Sequence, residues 1–461
     1  MYLAILLASV LAIAPTASSQ ATEQVLYSFQ GIPDGSTPVG GIVFDKKGNL
    51  YGATADGGAS TCYGPGQCGT VFELSPPSKD GDPWKETVLY VFKGKANNDG
   101  ATPEGGLVID EAGNLYGTTG YDGTGSCKLL GAVIGCGTVF ELSPPTQAGG
   151  AWTEKVIYNF QNLEDGYVPQ GDLVFDQDGN LYGATAFGGG YGTDCNDLYG
   201  YCGTIFELSP TNKTPQGEWT KKTLYSFKGT GQSAISDGSE PNGGLTIDSS
   251  GNVYGSTYFG GNGIGLCNSG AGGVGCGTVF ELISPGEGRG TWIESVLYRF
   301  TGYRDGANPA GGVILDETLH IYGTTFAGAQ NGYGAVFELF DSPGISGKWN
   351  VKALHDFDPK GGIHPAAGVA FGPGGVMYGT STQDGLSGGG TFFALASVTG
   401  DQNAWVEKVL HSFAGGNADA SFPDSRLTFR QPNFFYGSSQ TGGNGQNCGF
   451  GGCGTIFMVE L

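Results

Sequence analysis

The residues most able to do chemistry in this chain are aspartates that recur at one position. Asp34, Asp99, Asp165, Asp237 and Asp305 each begin an Asp-Gly-x-x-Pro loop, with Asp419 a weaker sixth. Set around a ring, such carboxylates would form an acidic crown able to hold calcium or a polar ligand, or to split their pKa values for acid/base work. The plainer reading is turn chemistry, in which Asp before Gly bonds its own loop amides. Only four histidines exist, and His364 lies in one of these loops, Gly361-Gly362-Ile363-His364-Pro365, which has lost its aspartate. His355 and His411 replace a strand tyrosine and read as packing residues, while His320 sits in a turn. Asp305, Tyr333 and His364 are the nearest approach to an irregular acid/base cluster. No nucleophile elbow, phosphate loop or His-based zinc motif is present. Glu73, Glu141, Glu207, Glu281 and Glu338 recur in Phe-Glu-Leu. Such regularity does not supply the two unlike carboxylates that glycoside hydrolysis needs.

Ten cysteines fall into five local pairs: Cys62/Cys68, Cys127/Cys136, Cys195/Cys202, Cys267/Cys276 and Cys448/Cys453. Two repeat units lack both partners, as disulfides predict. Zinc is the weaker reading, because no C-x-x-C pair or histidine cluster accompanies them. Each staple would close a glycine-rich loop and stabilise it by roughly 2–3 kcal/mol.

The elements that carry these residues repeat seven times around Asn-Leu-Tyr-Gly and its variants, at Tyr51, Tyr116, Tyr182, Tyr254, Tyr322, Tyr378 and Tyr436. In the second unit, Trp84 to Phe92 alternates as a strand, then comes the Asp-Gly loop. Leu107 to Asp110 follows, then an Asp-x-x-Gly-Asn turn, Leu115 to Thr119, a stapled insert, and Gly137 to Ser143. Four short strands per unit, bounded by Gly, Pro or Asp, are the mark of a repeat architecture. The turn suits a type I turn with a left-handed glycine, recurring at Asp45, Asp110, Asp176 and Asp248. All six tryptophans fall at one unit position, read here as blade-to-blade packing. The hydroxyls after Tyr-Gly (Thr54, Thr119, Thr185, Thr257, Thr325, Ser381, Ser439) read as strand-end hydrogen-bonding groups.

A Val-Leu-Tyr-x-Phe strand at Val25 to Phe29 precedes the first complete unit, and the last unit lacks such a strand. The expectation is an all-β, seven-bladed β-propeller of four-stranded blades, closed by the N-terminal strand, because closure leaves no large exposed edge. The outer-to-inner connection and the second-to-third loop share one propeller face. The Asp-Gly loops and stapled inserts therefore belong together, and function is expected there. Blades five and six have the shortest inserts and the altered Asp loop, so the crown should be notched there, beside His364 and Tyr333.

The units LYSF…DG…P…GGLVFD…GNLYGAT…CGTVFELSP resemble the GloVer-type tandem repeats of exported bacterial proteins. The Gly-Asn-Leu-Tyr core is also similar to NHL-like propeller repeats. The resemblance covers essentially the whole mature chain and implies export, often with an anchor, but no particular reaction.

Over 461 residues the formal charge is −22, with 88 glycines and 12 % aromatics. This excludes simple disorder and collagen, and repels nucleic acid and anionic membranes. Residues 1–19 read as a signal peptide, with an apolar run from Leu3 to Ala14 too short to span a bilayer. Residues 20–461 form the propeller, secreted, periplasmic or at the cell surface, with no transmembrane segment, and monomeric. The leading functional reading is a non-catalytic scaffold recognising a glycan, cell-surface component or protein through the stapled face, with no cofactor unless calcium. The alternative is a polysaccharide lyase or hydrolase acting at the channel mouth.

Overall fold

Among the described residues, runs of β-branched and aromatic residues between glycine turns become 32 short strands, arranged as seven four-position antiparallel blades and one small hairpin. The structure, a computed structural model, describes residues 21–461 except 59–61, 63–67, 80, 130–131, 148, 190–201, 212–216, 230–236, 262–266, 268–274, 287–289, 343–346, 399–400, 446 and 449–450. The expected signal segment lies outside the described residues. The third blade shows the order: Tyr167–Phe175 is innermost, then Leu181–Phe187, Thr204–Pro210 and, outermost, Trp219–Ser226. Each sequence unit thus begins with the outer strand of the preceding blade. The ring closes as the displaced strand implied. Thr22–Ser28 pairs antiparallel with Thr455–Glu460 and completes the seventh blade.

One contact passes from blade to blade. The phenylalanine ending each outer strand meets the third-strand phenylalanine of the next blade, with ring centroids 5.0 Å apart for Phe29–Phe72, 5.1 Å for Phe92–Phe140 and 5.3 Å for Phe160–Phe206. The series continues through Phe227–Phe280, Phe300–Phe337, Phe357–Phe393 and Phe413–Phe457. Both rings of the Phe160–Phe206 pair are fully buried, and edge-on pairs of this kind add about 0.5–1.5 kcal/mol beyond area burial. The glycine of Asn-Leu-Tyr-Gly makes room for that ring. A Cβ on Gly183 would stand 2.5 Å from Phe206 Cζ, and the same holds at Gly52 against Phe72. The tryptophans pack between blades: Trp152 meets Tyr51 at 5.9 Å, and Trp292 meets Tyr182 at 6.2 Å.

The Asp turns fold as the sequence implies. Asp176 accepts from the Asn180 amide and side chain and from the Tyr182 hydroxyl, while Gly179 has φ 86°. In the fifth blade Leu319 takes the glycine's place at φ 63° and lies exposed. The recurring threonines pair across strands inside the blade, as in Thr185–Thr204 at 2.9 Å.

This packing makes the outcome of two substitutions predictable. Gly183→Ala should lower stability by about 1–3 kcal/mol, because Phe206 cannot leave the space without disturbing Phe160. Leu319→Gly should raise it by about 1 kcal/mol by relieving left-handed strain. Denaturant midpoints of the two variants check both.

Candidate functional site

The stapled inserts are built into the joints between blades. Disulfides join Cys62–Cys68, Cys127–Cys136, Cys267–Cys276 and Cys448–Cys453. Cys202 is also disulfide-bonded, and its expected partner Cys195 lies outside the described residues. The carbonyl of the second cysteine accepts the amide of the residue before proline in the next blade's loop. Thr102 donates to Cys68 at 2.9 Å, Val168 to Cys136 at 3.1 Å, Glu240 to Cys202 at 3.1 Å and Asn308 to Cys276 at 2.8 Å. Across the closure Thr37 donates to Cys453 at 2.9 Å. The donor is left-handed every time, between φ 53° at Val168 and 58° at Asn308, a conformation costly for β-branched side chains and held by the surrounding bonds. In the two unstapled blades the same bond persists: His364 donates to Tyr333 and Phe422 to Gly389, each at 3.0 Å.

This joint also locates the expected crown. Each loop aspartate turns toward the tyrosine of the outer strand just left. Tyr90 donates to Asp99 at 2.8 Å, Tyr27 to Asp34 at 3.0 Å, Tyr158 to Asp165 at 2.9 Å and Tyr298 to Asp305 at 3.1 Å. Tyr225 donates to Asp237 in the same way, and loop amides add further bonds, as from Lys93 to Asp99 at 2.8 Å. The carboxylates therefore stand at separate joints, beside the outer strands, each bonded by its tyrosine and loop amides, although Asp34 keeps one buried oxygen without a partner. The turn chemistry weighed in the sequence accounts for this placement.

A third partner at the joint was not legible as a site. Two residues after the tryptophan, the next outer strand carries Glu86, Glu154, Glu294, Glu407 or Glu23. Burial, then the facing aspartate, pushes Glu86, Glu154 and Glu294 up to about 7. Glu407 rises to about 7 for the same first reason, with Asp358 next. An Oε1 atom of each is buried without a hydrogen-bond partner. The third blade departs from this: Lys221 replaces the glutamate and bonds Asp165 at 2.6 Å, with its own ammonium lowered by burial. The fifth blade has Val351 there. The signal was a Trp-x-Glu spacing in four units, muted by the Lys, Val and Ala exceptions.

Of the suspected acid/base set, the structure brings together His364 and Tyr333 but not Asp305, which is held by Tyr298 and Thr301. His364 stacks on Phe326 at 4.6 Å with planes 20° apart, and its Nδ1 lies 2.8 Å from the Phe326 carbonyl. Tyr333 meets the histidine edge-on at 6.1 Å, and Tyr258 lies 6.4 Å from Phe326. Asn308 reaches the Tyr258 carbonyl at 2.9 Å. These rings are half-buried, so the stapled face carries an aromatic patch over blades four to six. Tyr258 and Phe326 were missed because each merely follows the Thr or Ser that all blades share.

At the axis, paired glycines let adjacent blades touch backbone to backbone; a Cβ on Gly40 would fall 1.9 Å from the Gly106 nitrogen. Asp172 and Arg426 stand where two of these glycines are expected, and Asp172 accepts from Gly106 at 2.6 Å. They line a cavity of about 260 Å³ with Gly41, Leu173 and Leu245. A larger groove, about 710 Å³, opens on the opposite face beside Asp176, Glu207, Lys222 and Trp292.

A sequence model of the Gloeobacter/Verrucomicrobia repeat matches residues 12–195 and 260–461, more than half of the chain. The chain belongs to the Gloeobacter/Verrucomicrobia repeat family. No curated protein matches it. Among solved structures, the PQQ-bound aldose sugar dehydrogenase of Streptomyces coelicolor is 13 % identical over 96 % of this chain and 99 % of that chain, at a TM-score of 0.41. A gluconolactonase of Xanthomonas campestris is 12 % identical over 70 % of this chain and 78 % of that chain, at 0.34. The sialidase of Trypanosoma rangeli, in complex with the inhibitor DANA, is 12 % identical over 84 % of this chain and 57 % of that chain, at 0.37. Scores this low carry no functional argument. For this repeat-family propeller the disulfides fit an oxidising extracellular environment. Among the described residues, no helix is long and apolar enough to cross a membrane.

The joint glutamates give stability a direction with pH. Their folded values stand above the ordinary 4.5, so the unfolded chain ionises first. The stability they allow is fully present below about 4.5 and is lost as pH rises through about 7. Thermal unfolding should therefore show a higher midpoint at pH 5 than at pH 8. Glu154→Gln should raise the pH 8 midpoint and shrink the difference, as scanning calorimetry at the two pH values checks.

Proposed function

We propose that this is an exported, non-catalytic propeller that recognises a glycan or another extracellular ligand on its stapled face, at the patch of Tyr258, Phe326, Tyr333 and His364. The single observation that carries the reading is the stacked, half-buried His364–Phe326 pair, where the repeat otherwise places Thr37, Thr102, Val168, Glu240, Asn308 or Phe422. Binding sites combine aromatic surface with a few fixed polar groups, and here Asn308 and the His364 ring are fixed by backbone carbonyls. The short inserts of blades five and six, which carry no staple, border the patch at Phe326 and Tyr333. Calcium, if it binds, would have to compete with the Tyr and amide bonds that already hold the loop aspartates. Asp305, the expected acid partner of the His364–Tyr333 pair, is instead held by Tyr298 and Thr301, which favours recognition over lyase or hydrolase chemistry at this patch.

The experiment passes the protein over a panel of immobilised polysaccharides while assaying the eluate for released saccharides. Retention on at least one polymer without product is expected. Phe326→Ala should weaken it about tenfold, within the range for losing one aromatic contact, and leave the thermal midpoint within a few degrees. Product release abolished by His364→Ala would replace the proposal with the enzymatic alternative. Retention unchanged in both variants would move the site off this patch.

A further inference from the structure

Seven joints repeat the same three positions: an outer-strand tyrosine, the loop aspartate, and the residue two after tryptophan on the next outer strand. Reading their occupants around the ring separates one joint from the rest. Tyr90, Asp99 and Glu154 form the common set. The second-to-third joint has Tyr158, Asp165 and Lys221; the fourth-to-fifth has Tyr298, Asp305 and Val351. At the fifth-to-sixth joint His355 replaces tyrosine, but Gly361 stands in the aspartate's place, leaving His355 beside Glu407 at 3.6 Å. Only the sixth-to-seventh joint combines an imidazole with both carboxylates: His411, Asp419 and Glu23.

We propose that Glu23, His411 and Asp419 form a divalent transition-metal site of the zinc class, which clasps the propeller shut at the joint between its sixth and seventh blades. One ligand atom from each residue lies within 4.8 Å of the other two. His411 Nε2 stands 3.5 Å from Asp419 Oδ1, long for a hydrogen bond. Around a tetrahedral ion with bonds of about 2.0–2.1 Å, neighbouring donors stand ~3.4 Å apart, so this separation suits a shared metal. His411 Nε2 and Glu23 Oε1 are both buried without a hydrogen-bond partner, two orphaned ligand atoms at the same joint. A buried polar atom left unpaired is costly, and an ion there would satisfy both. Asp419 is already held in a ligating orientation. Ala414 donates to its Oδ2 at 2.6 Å and Ala420 to its Oδ1 at 2.8 Å, the outer bonds that fix a ligating carboxylate. Phe413 holds the imidazole edge-on at 4.8 Å.

The chemistry selects the ion. Imidazole with two carboxylates suits zinc and its neighbours, and three protein ligands leave a position for water. Calcium seeks six to eight oxygens, which this joint does not supply. The three ligands come from three parts of the chain: the sixth blade's outer strand, the loop into the seventh blade, and the N-terminal strand that closes the ring. An ion here would tie Thr22–Ser28 to the body of the ring and favour the folded state by binding it alone.

The test uses the untagged chain carrying Glu23, freed of metal with a chelator. Titration with Zn²⁺ by calorimetry should show one site at micromolar affinity or tighter, and Co²⁺ should give visible absorption from a nitrogen–oxygen site. Saturating Zn²⁺ should raise the thermal midpoint by several degrees, while Ca²⁺ at the same concentration should not. His411→Tyr installs the residue found at five other joints, so it should fold normally, yet lose at least 100-fold in Zn²⁺ affinity together with the midpoint shift. Glu23→Gln should lose at least tenfold. His320, 2.9 Å from Glu338, is the competing imidazole–carboxylate pair, and His320→Asn should leave binding unchanged. Failure of the wild-type chain to bind Zn²⁺, or binding undiminished in His411→Tyr, overturns the proposal.

Discussion

The meeting of two phenylalanine rings across each blade boundary, edge-on at six of the seven, is the contact on which the architecture depends. Each outer strand delivers its ring not into its own sheet but into the core of the next, beneath the glycine of the Asn-Leu-Tyr-Gly strand. A blade by itself leaves one ring exposed and one receptor empty, so the energy is realised only between neighbours. Seven such handovers leave no free end, provided that the last receptor is filled. Phe413 fills the seventh blade, and Phe29, carried by the N-terminal strand, fills the first. The displaced strand is thus required twice, as the missing edge of a sheet and as the bearer of a core residue.

With the blades fixed in this way, the stapled face becomes a series of joints. The left-handed residue before proline, the carbonyl of the second cysteine, and the Tyr–Asp pair lock each loop to its neighbour. This rigidity explains why the disulfides are dispensable in two blades: the hydrogen bond to the carbonyl survives with Tyr333 or Gly389 in the cysteine's place. It also frees individual positions to change. Lys221, His364 and His411 are substitutions within an otherwise constant frame, and each alters the chemistry of its joint without altering its backbone.

The repeat, the strand count, the closing strand, the cysteine pairing and the Asp-x-x-Gly-Asn turns were all legible, because each depends on residues adjacent in sequence and repeated in one order. The loop aspartates were legible as equivalent positions, but not in what they face. Their partners are a tyrosine seven to twelve residues away and a glutamate on the following blade more than fifty residues on. No local pattern joins the two. The aromatic patch was half legible: His364 stood out by replacing a motif, whereas Phe326 lies at a position the repeat leaves variable.

From the sequence alone came the number of blades, the order of their strands and the face that carries the elaborate loops, since periodicity and turn chemistry act along the chain. Tertiary structure alone decided which carboxyl groups are buried opposite one another, where Asp172 and Arg426 stand at the axis, and that the closing strand brings Glu23 to His411 and Asp419. Those are contacts between residues up to about four hundred positions apart, and only closure of the ring sets them within a few ångströms.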